Sequence, residues 1–181
     1  MFRFIALFAC AFVVACSGPA ASNDVAPAAV DVRPATVAVC IASDVPEAGE
    51  IVRAIDLWNA ALGGQLVLAP EIADTCTGRE PSIRVQHDCG GGIHAACEFG
   101  GVYEDFAEIH FDQLNLISGK TFGVALHEIG HMLGAGHTEG TFMAPKYTKD
   151  WATRTCIDAP VAAEVGAVLG FSVIGCPEQT Q

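Results

Sequence analysis

Apolar and polar positions along the chain change period several times, and each change marks an element. Residues 4–15 are twelve apolar residues in a row behind Met1-Phe2-Arg3. Residues 16–35 are small, polar and proline-bearing, with no hydrophobic period. Residues 36–42 alternate β-branched and small side chains, as a strand does. Asp44 and Glu47 have the spacing of a capping box, with Pro46 in the first turn. The helix they open carries Ile51, Ile55, Trp58 and Leu62 at steps of four, three and four, a single apolar stripe, and Gly63-Gly64 stops it. Residues 65–69 and 82–86 are short strands, the second alternating through Ile83 and Val85. Residues 87–101 are glycine-rich and form a loop with an irregular strand, and 107–111 form another strand. A second helix spans 121–133 and buries Phe122, Leu126, Ile129 and Leu133. Near the end Asp158 caps a third helix, with Val161, Val165 and Val168 facing inward. This order predicts an α+β domain: a mixed, twisted sheet with the helices on one side. There is no internal repeat and no charge run.

Composition narrows the partners. The 181 residues carry a formal net charge of −12, and 51% are hydrophobic. An acidic surface does not meet phosphates, so nucleic acid is excluded as a ligand. That much apolar content also excludes long disorder. The first apolar run is too short to span a bilayer, which takes about 20 residues. One basic residue, a short apolar stretch and small residues is the pattern of a secretory signal over 1–15. Val13-Val14-Ala15-Cys16 resembles the bacterial lipobox, in which the cysteine is acylated. An ordinary signal cleaved nearby is the alternative. The lipoprotein reading makes 16–35 a flexible tether from Cys16 and 36–181 the folded domain. With Ser17 next and no aspartate at that sorting position, it implies anchoring at the outer membrane.

Cysteine usage agrees with export. Of eight cysteines, Cys10 leaves with the signal and Cys16 takes the lipid, and the remaining six allow fifteen sets of three disulfides. The expected set is Cys89–Cys97 and Cys156–Cys176 as local loops, with Cys40–Cys76 by elimination.

The chemistry lies in His127-Glu128-Ile129-Gly130-His131-Met132-Leu133-Gly134-Ala135-Gly136-His137. His127 and His131 are four apart, about 40° around a helix, so both imidazoles leave the same face one turn apart. Two such ligands suit zinc, which takes nitrogen at about 2.0–2.1 Å. A continued helix would put His137 about 240° from His131, facing away. The chain must therefore turn, and Gly134 can adopt the left-handed conformation that brings His137 back. The fourth position is left for water. Glu128 lies about 100° around from His127, so it does not ligate and is placed to take a proton from the activated water. It would return that proton to the leaving amine, as base and then acid. Five defined positions in eleven arise by chance less than roughly once in 10⁴ chains of this composition.

This stretch resembles the HExxHxxGxxH signature of the metzincin metalloproteases. Thr141-Phe142-Met143-Ala144-Pro145-Lys146-Tyr147 is similar to the family's Met-turn, most like the matrixin branch. The resemblance implies a zinc endopeptidase of metzincin type acting on polypeptide substrates. It further implies that Met143 supports the metal site while Pro145 and Tyr147 shape the substrate pocket. Ala107-Glu108-Ile109-His110-Phe111-Asp112 resembles the matrixin strand before the active helix, where the histidine binds a structural zinc and the aspartate Ca2+. By that likeness His110 and Asp112 are secondary ion ligands, although a core or solvated histidine is the plainer reading of His110. Thr138 stands where matrixins carry serine, and the segment from His137 to Met143 is shorter than theirs. No match to the cysteine-bearing matrixin propeptide is present, so the enzyme is expected either to be made active or to be restrained by a separate protein inhibitor. The resemblance is strong over 107–147 and only architectural over 36–106.

Lesser features have plainer readings beside functional ones. His87, Cys89, His94 and Cys97 could form a second metal site, but disulfide formation competes for the cysteines outside the cytoplasm. Residues 92–103 are either the edge strand along which an extended substrate lies or a surface loop. Trp58 and Trp151 are most simply packing residues. The domain is expected to act as a monomer. The alternatives to an endopeptidase are a non-catalytic metal-binding or inhibitory surface lipoprotein and a zinc hydrolase of a non-peptide bond; the presence of Glu128 speaks against the first.

Overall fold

Five strands, β1 (Ala35–Ala42), β2 (Leu66–Ala73), β3 (Ser82–Gln86), β4 (Ala96–Gly100) and β5 (Ala107–Asp112), form one sheet in the order β2-β1-β3-β5-β4. β1 pairs in parallel with β2 and β3, β3 pairs in parallel with β5, and β4 runs antiparallel along β5 at the edge. Three helices accompany the sheet: α1 (Ala48–Leu62), α2 (Thr121–Met132) and α3 (Ala159–Leu169), with a short 3₁₀ helix at Lys149–Thr153. The computed structural model describes residues 35–77, 80–86, 96–100, 107–112 and 119–177. All of these belong to one unit, residues 33–181. The signal, Cys16 and the tether up to residue 34 lie outside the described residues, as do His87, Cys89 and His94; residue 35, expected in the tether, already belongs to β1. Among the described residues no helix is long and apolar enough to cross a membrane. The mixed α+β architecture is the one the sequence predicts.

The strands form where β-branched residues alternate and are covered. Val39 and Ile41 of β1, Leu66 and Leu68 of β2, Ile83 of β3 and Ile109 of β5 are all buried. β2 runs past the expected 69 to Ala73, because all eight of its residues pair with β1. Pro70, opposite Val39, is tolerated on an outer strand, where an N–H can be missing from the ladder. On the same strand the Asn59 side chain of α1 binds both backbone groups of Leu68, Nδ2–H to the carbonyl and Oδ1 to the N–H, each at 2.8 Å.

The apolar stripe of α1 is buried as expected at Ile51, Ile55, Trp58 and Leu62, and Gly63 ends the helix at φ 61°. Its start differs. Glu47 is the N-cap residue in a left-handed conformation, φ 55°, and no side chain caps the helix. The Glu47 carboxylate instead accepts the hydroxyl of Thr121, the first residue of α2, at 2.7 Å. That hydroxyl belongs to a buried residue and needs an acceptor. The capping box thus gives way to a bond between two helices.

The core of α1 meets α2 through Trp58, whose indole N–H donates to the carbonyl of Leu126 at 3.0 Å. α2 is buried along almost its whole length, including Phe122, Leu126 and Ile129. Two disulfides are formed among the described residues, Cys40–Cys76 and Cys156–Cys176, both as expected. The expected Cys89–Cys97 bond lies outside the described side chains. On α3, Val161 and Val165 are buried, but Val168 is 55% exposed. It sits at the surface over Gly134, where a Cβ would approach its Cγ1 to 2.7 Å.

Candidate metal centre

α2 carries the first two histidines, and its end positions the third. Gly134 N–H donates to His131 O at 2.8 Å, and Ala135 N–H donates to Gly130 O at 2.9 Å. With Gly134 at φ 98°, this pair of bonds is a Schellman motif, which reverses the chain at once. The helix stops and His137 returns towards the rings it left. His127, His131 and His137 then form a group whose ligand atoms lie within 4.8 Å of one another. Among the described residues it is the one such group of three. The Nε2 atoms of His127 and His131 are 3.0 Å apart.

The other ring nitrogens are held. His127 Nδ1–H donates to the Phe142 carbonyl at 2.8 Å, and His131 Nδ1–H donates to the Ala135 carbonyl at 2.7 Å. A carbonyl only accepts, so each bond fixes the neutral tautomer that bares Nε2. Burial pushes His127 down from 6.5 to about 4; the Phe142 carbonyl opposes the fall, and the neighbouring His131 and His137 rings add to it. Burial likewise lowers His131, against the opposing influence of the Ala135 carbonyl. Two of the imidazoles are therefore uncharged at neutral pH, as metal binding requires. Three imidazole nitrogens converging from one helix and one turn fit zinc, and offer none of the oxygen ligands that calcium prefers.

The surroundings are tightly built. Glu128 is buried beside His127. Met143 is fully buried, and a Cβ on Gly130 would meet its Sδ at 2.6 Å, so only glycine lets the turn approach the helix this closely. The turn is closed by Thr138 N–H to Met143 O at 3.0 Å and by Met143 N–H to Thr141 Oγ1 at 3.0 Å. Pro145 is exposed and lines a cavity of about 410 Å³ with Glu139, Thr141, Ala144, Lys146 and Asp150. Tyr147 lies outside that lining; its ring is 5.0 Å from Trp151 and takes the Lys120 ammonium over its face at 5.0 Å. His110 is bonded to Glu108 Oε2 at 3.0 Å. Asp112 ends β5 opposite Gln86, and its side chain lies outside those described.

Three contributors escape the sequence. Trp151 is more than packing: its ring stacks on His127 at 4.8 Å and 11°. Asp158 does not cap α3 with its side chain; it accepts the Phe142 N–H at 3.0 Å and pairs with Arg154, binding the turn from outside. Glu164 accepts the Gly136 N–H at 3.0 Å. Each is a contact between elements distant in the chain, which local periodicity does not encode.

A mixed sheet, a helix bearing two histidines, a glycine turn to the third and a buried methionine define a metzincin-like fold around a candidate zinc centre. Two comparisons place that class among known proteins. The solved structure of archaemetzincin from Methanopyrus kandleri matches 76% of this chain and 97% of its own, with a TM-score of 0.50 and 12% identity. It is a likeness of fold. In sequence the chain is similar to matrix metalloproteinase-21 of Mus musculus, 38% identical over a match covering 38% of this chain and 16% of that protein. The chain thus spans well under a fifth of that relative's length. No family model matches. Fold and histidine group together fit a zinc-binding centre on a metzincin-like fold.

Proposed function

We propose that the chain is a zinc-dependent endopeptidase in which His127, His131 and His137 hold one zinc ion and Glu128 moves the proton. The observation that carries this reading is the convergence of three imidazole ligand atoms within 4.8 Å beside a buried carboxylate. When bound there, zinc supplies Lewis acidity, polarising a carbonyl and lowering the pKa of water towards neutrality. The residues of the chain do the rest. The Phe142 and Ala135 carbonyls hold two rings in the metal-binding tautomer. A carboxylate oxygen of Glu128 takes a proton from the attacking water and gives it to the departing amine nitrogen. Met143 floors the site, and Pro145 and Tyr147 shape the pocket that receives a polypeptide substrate.

Export with a lipid on Cys16, holding the domain at the outer membrane, belongs to the same reading. Its supports are the apolar run ending at Cys16 and two disulfides of the kind that persist in oxidising compartments. Cys16→Ala should release the protein from membranes; unchanged retention would defeat the anchor.

The deciding experiment incubates purified protein with denatured casein and a peptide library, with and without chelator, beside Glu128→Ala. The expected result is chelator-sensitive cleavage that Glu128→Ala lowers about 10²–10⁴-fold while zinc content stays near one. Equal cleavage by the variant would refute the role of Glu128, and no cleavage by either protein would refute the peptidase.

A further inference from the structure

Two of the three imidazoles are tied through their own rings, His127 to Phe142 and His131 to Ala135. Among the described residues the His137 ring has no hydrogen-bond partner, and the residue is exposed. Its position therefore depends on the backbone that carries it. On one side Ala135 N–H is bonded to Gly130 O, and on the other Thr138 N–H is bonded to Met143 O. Between them Gly136 N–H donates to Glu164 Oε1 of α3 at 3.0 Å. One turn further along α3, Val168 lies against Gly134, leaving no room there for a Cβ. Glu164 and Val168 are four apart, so one face of α3 grips the turn at two points. The Glu164 carboxylate also brings a negative charge to the turn that carries His137. A charge of that sign draws a metal cation to the same place.

We propose that Glu164 is a positioning residue of the metal centre: by accepting the Gly136 N–H it fixes the turn that presents His137, and so makes α3 part of the site. The proposal rests on the zinc reading above. Carboxylate–amide bonds are charge-assisted and stronger than neutral ones. Partners that orient a ligand in this way typically change metal affinity 10–100-fold when lost. The exposure of this bond sets the expectation at about tenfold, the lower end of that range.

The test compares the full-length protein with Glu164→Ala and Glu164→Gln. Metal-free samples are titrated with Zn2+ against a chromophoric chelator at low and high salt, and their metal-free unfolding midpoints are measured. Glu164→Ala should bind Zn2+ about tenfold more weakly at high salt and more weakly still at low salt, with an unchanged metal-free midpoint. Glu164→Gln keeps an acceptor oxygen for Gly136, so it should match the parent at high salt, where charge is screened, and fall below it only at low salt. If the parent protein fails to bind Zn2+, the zinc reading falls and this proposal with it. If the parent binds and Glu164→Ala binds equally well, the positioning role alone is overturned. It is also overturned if Glu164→Ala loses affinity in step with its metal-free midpoint, or if Glu164→Gln is as weak as Glu164→Ala at high salt.

Discussion

His127 Nδ1–H donates to the carbonyl of Phe142 across 2.8 Å, so the first histidine and the turn that carries Met143 are held as one body. The backbone on the other side of the same residue is held as well, since Phe142 N–H donates to Asp158 at 3.0 Å. The Phe142 ring, fully buried, meets the Trp58 ring edge-on at 6.0 Å, and Trp58 is bonded to Leu126. Helix, turn and core thus share a small set of contacts, and the consequences can be measured at single residues.

Gly130 is the tightest of these contacts. An added methyl would sit 2.6 Å from Met143 Sδ and 3.3 Å from the Trp58 ring. Gly130→Ala raises helix propensity, but the overpacking it forces is the larger effect, about 1–3 kcal/mol. Urea unfolding of the metal-free protein should show a net loss of stability. Gly130→Ala/Met143→Ala should lose less than the sum of the single changes, because the cavity left by Met143 receives the new methyl. Additive losses would mean that the turn does not rest on Gly130.

Much of this site is legible in the sequence because it is local. The spacing of His127, His131 and Glu128 is read directly from the helical period, and the need for a turn at Gly134 follows from where a continued helix would send His137. The strands and the apolar stripe of α1 are legible for the same reason. What periodicity does not carry is the choice of partner across the fold. Glu47 has the spacing of a cap, yet it serves Thr121, because the left-handed backbone at residue 47 leaves α1 without a side-chain cap. Asp158 stands at a helix start but turns to Phe142 and Arg154. Val168 continues an apolar stripe, yet near the end of α3 it lies over the Gly134 turn and is more than half exposed.

The two tryptophans make a matched pair for measuring one hydrogen bond. Both are buried. The Trp58 N–H is bonded to Leu126 O, whereas the Trp151 N–H is buried and has no partner among the described residues. Replacement of either by phenylalanine leaves a comparable void, but only Trp58→Phe breaks a hydrogen bond. Trp58→Phe should therefore be about 1 kcal/mol more destabilising than Trp151→Phe in urea unfolding. An equal or reversed order would show that the Leu126 bond contributes nothing.

The disulfides differ in what they brace. Cys40–Cys76 ties β1 to the segment after β2 across a sequence separation of 36, and Cys156–Cys176 flanks α3 with a separation of 20. Constraint of the unfolded chain makes each worth about 3–4 kcal/mol, slightly more for the longer loop. Only the second holds the helix that carries Glu164 and Val168. Cys156→Ser/Cys176→Ser should weaken Zn2+ binding several-fold, and Cys40→Ser/Cys76→Ser should leave it unchanged despite a similar loss of stability. Chelator competition on both double variants separates the two effects.

Acid should destabilise the metal-free protein before its carboxylates titrate. His127 is lowered to about 4 by burial and His131 is lowered in the same direction, whereas both titrate near 6.5 in the unfolded chain. Between those values the unfolded state binds protons that the folded state refuses, so stability rises with pH across the window and is lost as pH falls through it. For His127 alone the loss is on the order of 3 kcal/mol by pH 4. The decline from pH 6.5 to 5 is diagnostic, since ordinary carboxylates titrate below it. Zinc steepens it, because protons compete for the same nitrogens and the stabilisation that the metal gives should vanish at the acid end. Thermal unfolding from pH 8 to 4, with and without Zn2+, reads both slopes. A flat metal-free profile above pH 5 would mean that His127 and His131 stay open to solvent and take up protons in the fold as readily as in the unfolded chain.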